Sequence, residues 1–325
     1  MRLSLAQRRA PIYVAAALVA AALASIPTPY SLILPGHAVD LRKVVSVARH
    51  APPAVHFYLT DVAFVAHATP LVLLDGLGPG GRIVRTTDVV PQGISSREYE
   101  GVMRESMNES QAIAAVVAER AAHLRVPIPR SHVLVLSISA LSRAGRALRP
   151  GDLIVSVDGA AATASPDVAR ALARVTPGAS VRVAILRKGR LLQANVPTIL
   201  YHGATALGVY LTAVIERPRL PVAVTYHLPD VSGSSGGLMF ALQIYATLAG
   251  KGRLPERAVA GTGTISYDGS VGPIEGAAQK IVAARRAGAS LFLVPRENYA
   301  EIKTTSGIKV VPIANFRQAV AAIGR

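Results

Sequence analysis

The sequence predicts an α+β protein in three parts: an apolar N-terminal helix, a β-rich middle, and a C-terminal layer of alternating strands and helices. Three observations carry that prediction. Residues 12–26 hold no charge and follow Arg2, Arg8 and Arg9. Residues 125–198 set short β-rich runs between Pro-Gly and Asp-Gly turns. Residues 199–325 alternate apolar runs of strand and helix length. The 325 residues, 51% of them hydrophobic, suffice for two or three compact units. The expected boundaries are 1–34, 35–124, 125–198 and 199–325.

Basic residues before an apolar run place the N-terminus in the cytoplasm and export the rest. Residues 12–26 are short for a membrane span, but continued through residues 30–34 the run suffices. The expectation is a single-pass transmembrane helix in the cell membrane, with the bulk of the chain extracytoplasmic. A cleaved signal peptide is the competing reading, because Ala22-Leu23-Ala24 resembles a cleavage site. Val55-His56-Phe57-Tyr58-Leu59 and Leu71-Val72-Leu73-Leu74 read as strands. The loop Asp75-Gly76-Leu77-Gly78-Pro79-Gly80-Gly81 lacks the Lys-Ser/Thr ending that a phosphate-cradling loop needs, and no other segment supplies one. Residues 96–124 read as a helix capped by Ser96, with Met103 and Met107 in the core. Residues 133–138 and 181–186 read as strands and 166–173 as a helix. Residues 207–211 and 222–226 read as strands leading into the C-terminal part.

Composition narrows the function classes. The chain has no cysteine, which excludes disulfides and cysteine-based metal sites. Its net charge is +16, yet the basic residues are scattered, only 5% of residues are aromatic and none is tryptophan. That argues against nucleic-acid binding and for a solvated arginine-rich surface drawn to anionic lipid. The eight histidines form no metal-spaced pair, and no metal or cofactor is expected. His227 and Asp230 lie near Ser235, but residues so close along one strand rarely converge on one hydroxyl. Asp268-Gly269 reads as a hairpin turn.

The chemistry is concentrated between residues 230 and 297. Gly233-Ser234-Ser235-Gly236-Gly237 precedes an apolar run, residues 238–248, which puts a serine on a tight turn at a helix entrance. Free N–H groups there can stabilise negative charge, so Gly233, Ser234 and Ser235 offer an oxyanion site beside a hydroxyl. Lys280 follows in a largely apolar helical pattern. Desolvation there lowers the pKa of an amine and allows it to act as a base, giving a Ser–Lys dyad. On spacing alone the same residues also describe a plain turn and a solvated lysine.

Resemblance separates the two readings. Gly233-Ser234-Ser235-Gly236-Gly237 is similar to the G-P-S-A-G turn of Lon-type serine proteases, and Pro273-Ile274-Glu275-Gly276-Ala277-Ala278-Gln279-Lys280 to their P-I-G-G-x-K-x-K segment. Ala260-Gly261-Thr262-Gly263-Thr264-Ile265 resembles the strand between them. The resemblance implies Ser235 as nucleophile, Lys280 as base, and Thr262 as a hydrogen-bonding neighbour of the lysine. Ser234 stands where the family has proline, which leaves two adjacent serines to choose between. Glu275 replaces a glycine, and Ala278 the first lysine. Residues 150–159, Pro-Gly-Asp-Leu-Ile through Val-Asp-Gly, resemble a PDZ domain, which takes a peptide as an added strand. Together these imply a membrane-anchored, ATP-independent serine endopeptidase. It would act on protein or peptide substrates, with a PDZ ligand peptide and, as in the family, assembly into a homo-oligomer. The alternative is a PDZ peptide-binding scaffold whose protease-like domain is silent.

Overall fold

The computed structural model describes residues 5–89, 96–127, 131–139, 142–163, 165–201, 204–215, 218–228, 231–250, 254–302 and 307–324. Helix α1 (Leu5–Ser25) opens the chain. Strands β1 (Tyr30–Asp40), β2 (Val45–Val47) and β3 (His56–Val65) follow, then the short helix α2 (Pro70–Leu73), β4 (Arg82–Arg85) and α3 (Thr86–Val89). The long helix α4 (Ser96–Ala121) leads into a run of strands: β5 (Ser131–Ile138), β6 (Leu153–Val157) and β7 (Ala160–Ala161). Helix α5 (Ser165–Leu172) interrupts them before β8 (Ser180–Arg187), β9 (Arg190–Pro197), the hairpin β10 (Ile199–Tyr201)–β11 (Ala204–Ala206), and β12 (Val209–Ile215). Strand β13 (Val224–Tyr226) precedes α6 (Gly237–Ala249), β14 (Ala258–Gly261), and the hairpin β15 (Thr264–Ile265)–β16 (Val271–Gly272). The chain closes with α7 (Ala277–Arg286), β17 (Leu291–Pro295), α8 (Tyr299–Ile302), β18 (Lys309–Ile313) and α9 (Phe316–Ile323).

Two six-stranded sheets organise these elements. The first runs β18-β17-β14-β3-β1-β4. Its strands β18, β17, β14 and β3 are parallel, and β1 is antiparallel to both of its neighbours, β3 and β4. Alternation along β17 shows why it needs helices on both faces. Leu291 and Leu293 join the core under α4, α6 and α9, while Phe292 and Val294 join the core under α7. The second sheet runs β12-β5-β6-β8-β9, with β7 on β6. It encloses Val133, Leu148, Ile154 and Val183, all fully buried, against α5. The Pro-Gly-Asp turn at its heart is held by Asp152, which accepts from the Arg149 N–H at 2.8 Å and pairs with Arg187 at 2.7 Å.

This topology differs from the expected boundaries in four places. First, the first sheet takes three of its six strands from residues 30–85, so the C-terminal layer is not confined to 199–325. The parallel pairing of β14 with β3 (Ala258↔His56 through Gly261↔Leu59) is too distant in sequence to leave a local pattern. Second, β12 belongs to the β5–β9 sheet, where it pairs antiparallel with β5, rather than leading to the serine turn. Third, Leu71-Val72-Leu73-Leu74 is helical rather than extended. The Thr69 hydroxyl accepts from the Val72 N–H and Pro70 occupies the first turn, which together start a helix. Fourth, the span expected over residues 1–34 ends early. Helix α1 stops at Ser25, and Tyr30 already belongs to β1, whose Leu32 is fully buried in the sheet. Among the described residues no helix is long and apolar enough to cross a membrane.

Candidate active site

The turn at Ser235 is built from small residues for geometric reasons. Gly233 adopts φ 91°, a left-handed conformation that would strain a side chain. A 3₁₀ turn over Ser234–Gly236 then feeds directly into α6, whose first two turns are wholly buried. A Cβ at Gly236 would lie 2.8 Å from Leu59 of β3, so glycine lets the turn close against the sheet. Ser235 is half-buried at the mouth of this helix, and Ser234 is exposed.

Lys280 comes from the other face. Gly276, in the left-handed region at φ 72°, starts α7, and Lys280 sits in its first turn with only 3% of its surface exposed. Its Nζ lies 2.7 Å from Ser235 Oγ and 3.2 Å from Thr262 Oγ1. Thr262, fully buried, follows β14 where the chain leaves the sheet, and its hydroxyl donates to the Ser235 carbonyl at 3.1 Å. The Gly263 N–H reaches the same carbonyl at 2.8 Å. The three side chains therefore meet beyond the carboxyl ends of the parallel strands, where open α/β sheets commonly place their sites. Burial pushes the Lys280 amine down from 10.5 to about 8; Asp61 and Glu275 act in the opposite sense.

The adjacent serines are placed differently. Lys280 bonds Ser235. What is held at Ser234 is its carbonyl, by the Ser110 hydroxyl of α4 at 3.0 Å. Gly233 is less available than expected as an oxyanion donor, because its N–H donates to the Met103 carbonyl at 2.9 Å. The N–H groups of Ser234 and Ser235, at the start of the turn, are the candidate donors that leaves. His227 is exposed, and Asp230 lies outside the described residues.

A cleft of about 480 Å³ opens beside Ser235. Its walls come from β1 and β3 (Ile33, Leu59, Asp61, Val62), from α4 (Met103, Met107) and from Glu275 before α7. Met107 is buried as expected, whereas Met103 is only half-buried and lies outside the core; both line the cleft. Sequence reasoning missed Asp61 and Ser110. No spacing rule links residue 61 or 110 to residue 235, and only the sheet pairing and the α4–α6 packing bring them together.

Comparison with known proteins gives two separate matches along the chain. Residues 102–198 match the PDZ domain family, and residues 222–316 match the Lon protease (S16) C-terminal proteolytic domain. Lon protease 2 of Bacillus subtilis is 34% identical over 95 residues, covering 29% of this chain and 17% of that protein. Lon protease 1 of Thermus thermophilus is 32% identical over 133 residues, 37% of this chain and 16% of that one. The magnetosome formation protease MamE of Magnetospirillum gryphiswaldense is 34% identical over 90 residues, 28% and 11% respectively. The chain thus spans 17% or less of the length of each of these relatives. A PDZ domain and a Lon-type C-terminal proteolytic domain are joined in this one chain, and it is homologous to the Lon proteases and to MamE.

Proposed function

We propose that the chain is an ATP-independent serine endopeptidase that cleaves protein substrates outside the cytoplasm. The observation that carries the reading is the buried Lys280 amine, 2.7 Å from the Ser235 hydroxyl. In the neutral amine, one N–H donates to Thr262 Oγ1, which turns the nitrogen lone pair toward Ser235. Ser235 Oγ attacks the substrate carbonyl as its proton passes to Lys280 Nζ. The lysine then returns that proton to the leaving amine, and water hydrolyses the acyl-enzyme by the same route. The N–H groups of Ser234 and Ser235 supply the negative-charge stabilisation at the helix start.

ATP independence is supported by the sequence, which holds no glycine-rich loop ending in Lys-Ser/Thr. Attachment to a membrane rests on α1. Its residues 12–25 carry no charge and are exposed, and a helix apolar on all sides lowers its free energy in lipid. The PDZ module docks substrate or a regulatory peptide, and assembly into a ring is the matching proposal for oligomeric state.

The test is turnover of an unfolded protein without nucleotide by wild type, Ser235→Ala and Lys280→Ala. Wild type should cleave and both variants should not. Cleavage by Ser235→Ala at the wild-type rate would sink the proposal, and a wild type that binds peptide without cutting would favour the silent scaffold. Flotation with lipid vesicles of the chain with and without residues 1–26 tests the attachment: the full chain should float with the vesicles and the shortened one should not.

A further inference from the structure

The cleft is charged opposite to the rest of the molecule. The chain carries 35 Lys and Arg against 19 Asp and Glu. Among the described residues lining the cleft the ratio inverts: Asp61, Glu100 and Glu275 face a single cation, Lys280, which is already engaged by two hydroxyls. Between the carboxylates the wall is apolar, formed by Leu59, Val62, Phe64 and the two methionines. A side chain with an aliphatic stem and a cationic head matches both surfaces.

Two of these acids are placed by the fold. Asp61 follows Thr60, whose hydroxyl bonds the Gly261 carbonyl at 3.2 Å, and the Asp61 carboxylate accepts the His37 N–H. Glu275 follows Ile274, whose N–H and carbonyl are both clamped by the Asn298 amide, at 2.9 and 2.8 Å. Its side chain is exposed to the cleft, on a backbone that is held.

We propose that the cleft selects substrates carrying lysine or arginine beside the bond that is cut, with Asp61 and Glu275 as the specificity-determining residues. This rests on the endopeptidase reading above. It has a mechanistic consequence. Asp61 and Glu275 favour the charged form of Lys280. A bound substrate cation offsets their negative charge, so the ammonium releases its proton to solvent more readily and the neutral amine is formed on binding. Basic substrates should therefore gain most at neutral pH, where the amine is largely protonated.

The test uses the full chain and peptides that differ at one position next to the cleavage site: arginine, lysine, norleucine or glutamate. The expected kcat/KM for arginine and lysine exceeds that for norleucine about tenfold and that for glutamate by more. The arginine-to-norleucine ratio should shrink between pH 7 and pH 9. Asp61→Asn and Glu275→Gln should each lower that ratio several-fold at pH 7, and Glu275→Lys should shift preference toward glutamate. Equal cleavage of all four peptides by wild type, with Ser235→Ala inactive, overturns the selectivity alone. So do variants that keep the full ratio. Absence of cleavage of every peptide and of unfolded protein overturns the endopeptidase reading as well.

Discussion

Lys280 and Glu119 are both buried, 3% and 0% exposed, and the molecule treats their charges differently. Lys280 reaches two hydroxyls and opens onto a cleft. Glu119 lies on α4 facing the core near Tyr226. Neither of its oxygens meets a partner in normal hydrogen-bond geometry, and the Val222 backbone gives only partial relief. Burial lowers the amine to about 8 and raises the carboxyl to about 7, so both are pushed toward their neutral forms. The difference is in what neutrality accomplishes. At Lys280 it creates a base beside a hydroxyl. At Glu119 it relieves a cost that its neighbours offset only in part.

The comparison breaks most sharply in turnover. Lys280→Met and Ser235→Ala should each lower kcat by about 10⁴-fold or more on an unfolded substrate, whereas Glu119→Gln should keep most of the activity. In wild type, kcat/KM should climb about tenfold per pH unit below a limb near 8, as Lys280 loses its proton. A flat profile from pH 6 to 9 would argue against the amine as the base.

Stability should move in opposite directions at the two sites. The folded amine titrates near 8 and the unfolded one near 10.5, so the unfolded chain binds more protons in that window and wild-type stability rises with pH across it. Lys280→Met lacks this rise and should be more stable at pH 7, by at most about 3 kcal/mol. At Glu119 the folded chain binds more protons between 4.5 and about 7, so stability falls as pH climbs through that range. Glu119→Gln should melt above wild type at pH 8, with the gap closing below pH 5. Thermal melts across pH check both.

Smaller effects sharpen the picture at Lys280. Thr262→Val removes the acceptor that orients the amine and should lower kcat about tenfold, the equivalent of one lost hydrogen bond. Ser234→Ala changes an exposed side chain and should stay within about threefold of wild type.

What the sequence revealed divides along the same line as local and distant contacts. The serine turn and Lys280 were legible because each depends on a few consecutive residues, Gly233 to Gly237 and Gly276 to Lys280. Most of the second sheet was legible because its strands follow one another between residues 131 and 197. Its last strand was not, since Val209–Ile215 looks like any other strand until it is seen beside β5. Asp61 was invisible for the same reason, since nothing near it in sequence says that β3 runs beside β14. The four apolar residues at 71–74 suit either strand or helix, and the preceding Thr69-Pro70 was the signal to weigh. The membrane span failed on punctuation: the count was carried across Pro27 and Pro29 into what is the first strand.

The order of strands in the first sheet also governs how this chain comes off the ribosome. The β1 and β3 part of the wall is translated early, Ser235 nearly three-quarters of the way along and Lys280 later still, and β14 must slide in beside β3 before any of them align. Until then β3 shows an open edge that invites pairing with foreign chains. A half-made chain therefore holds neither Ser235 nor Lys280, and the two can meet only once the chain has been made through residue 280.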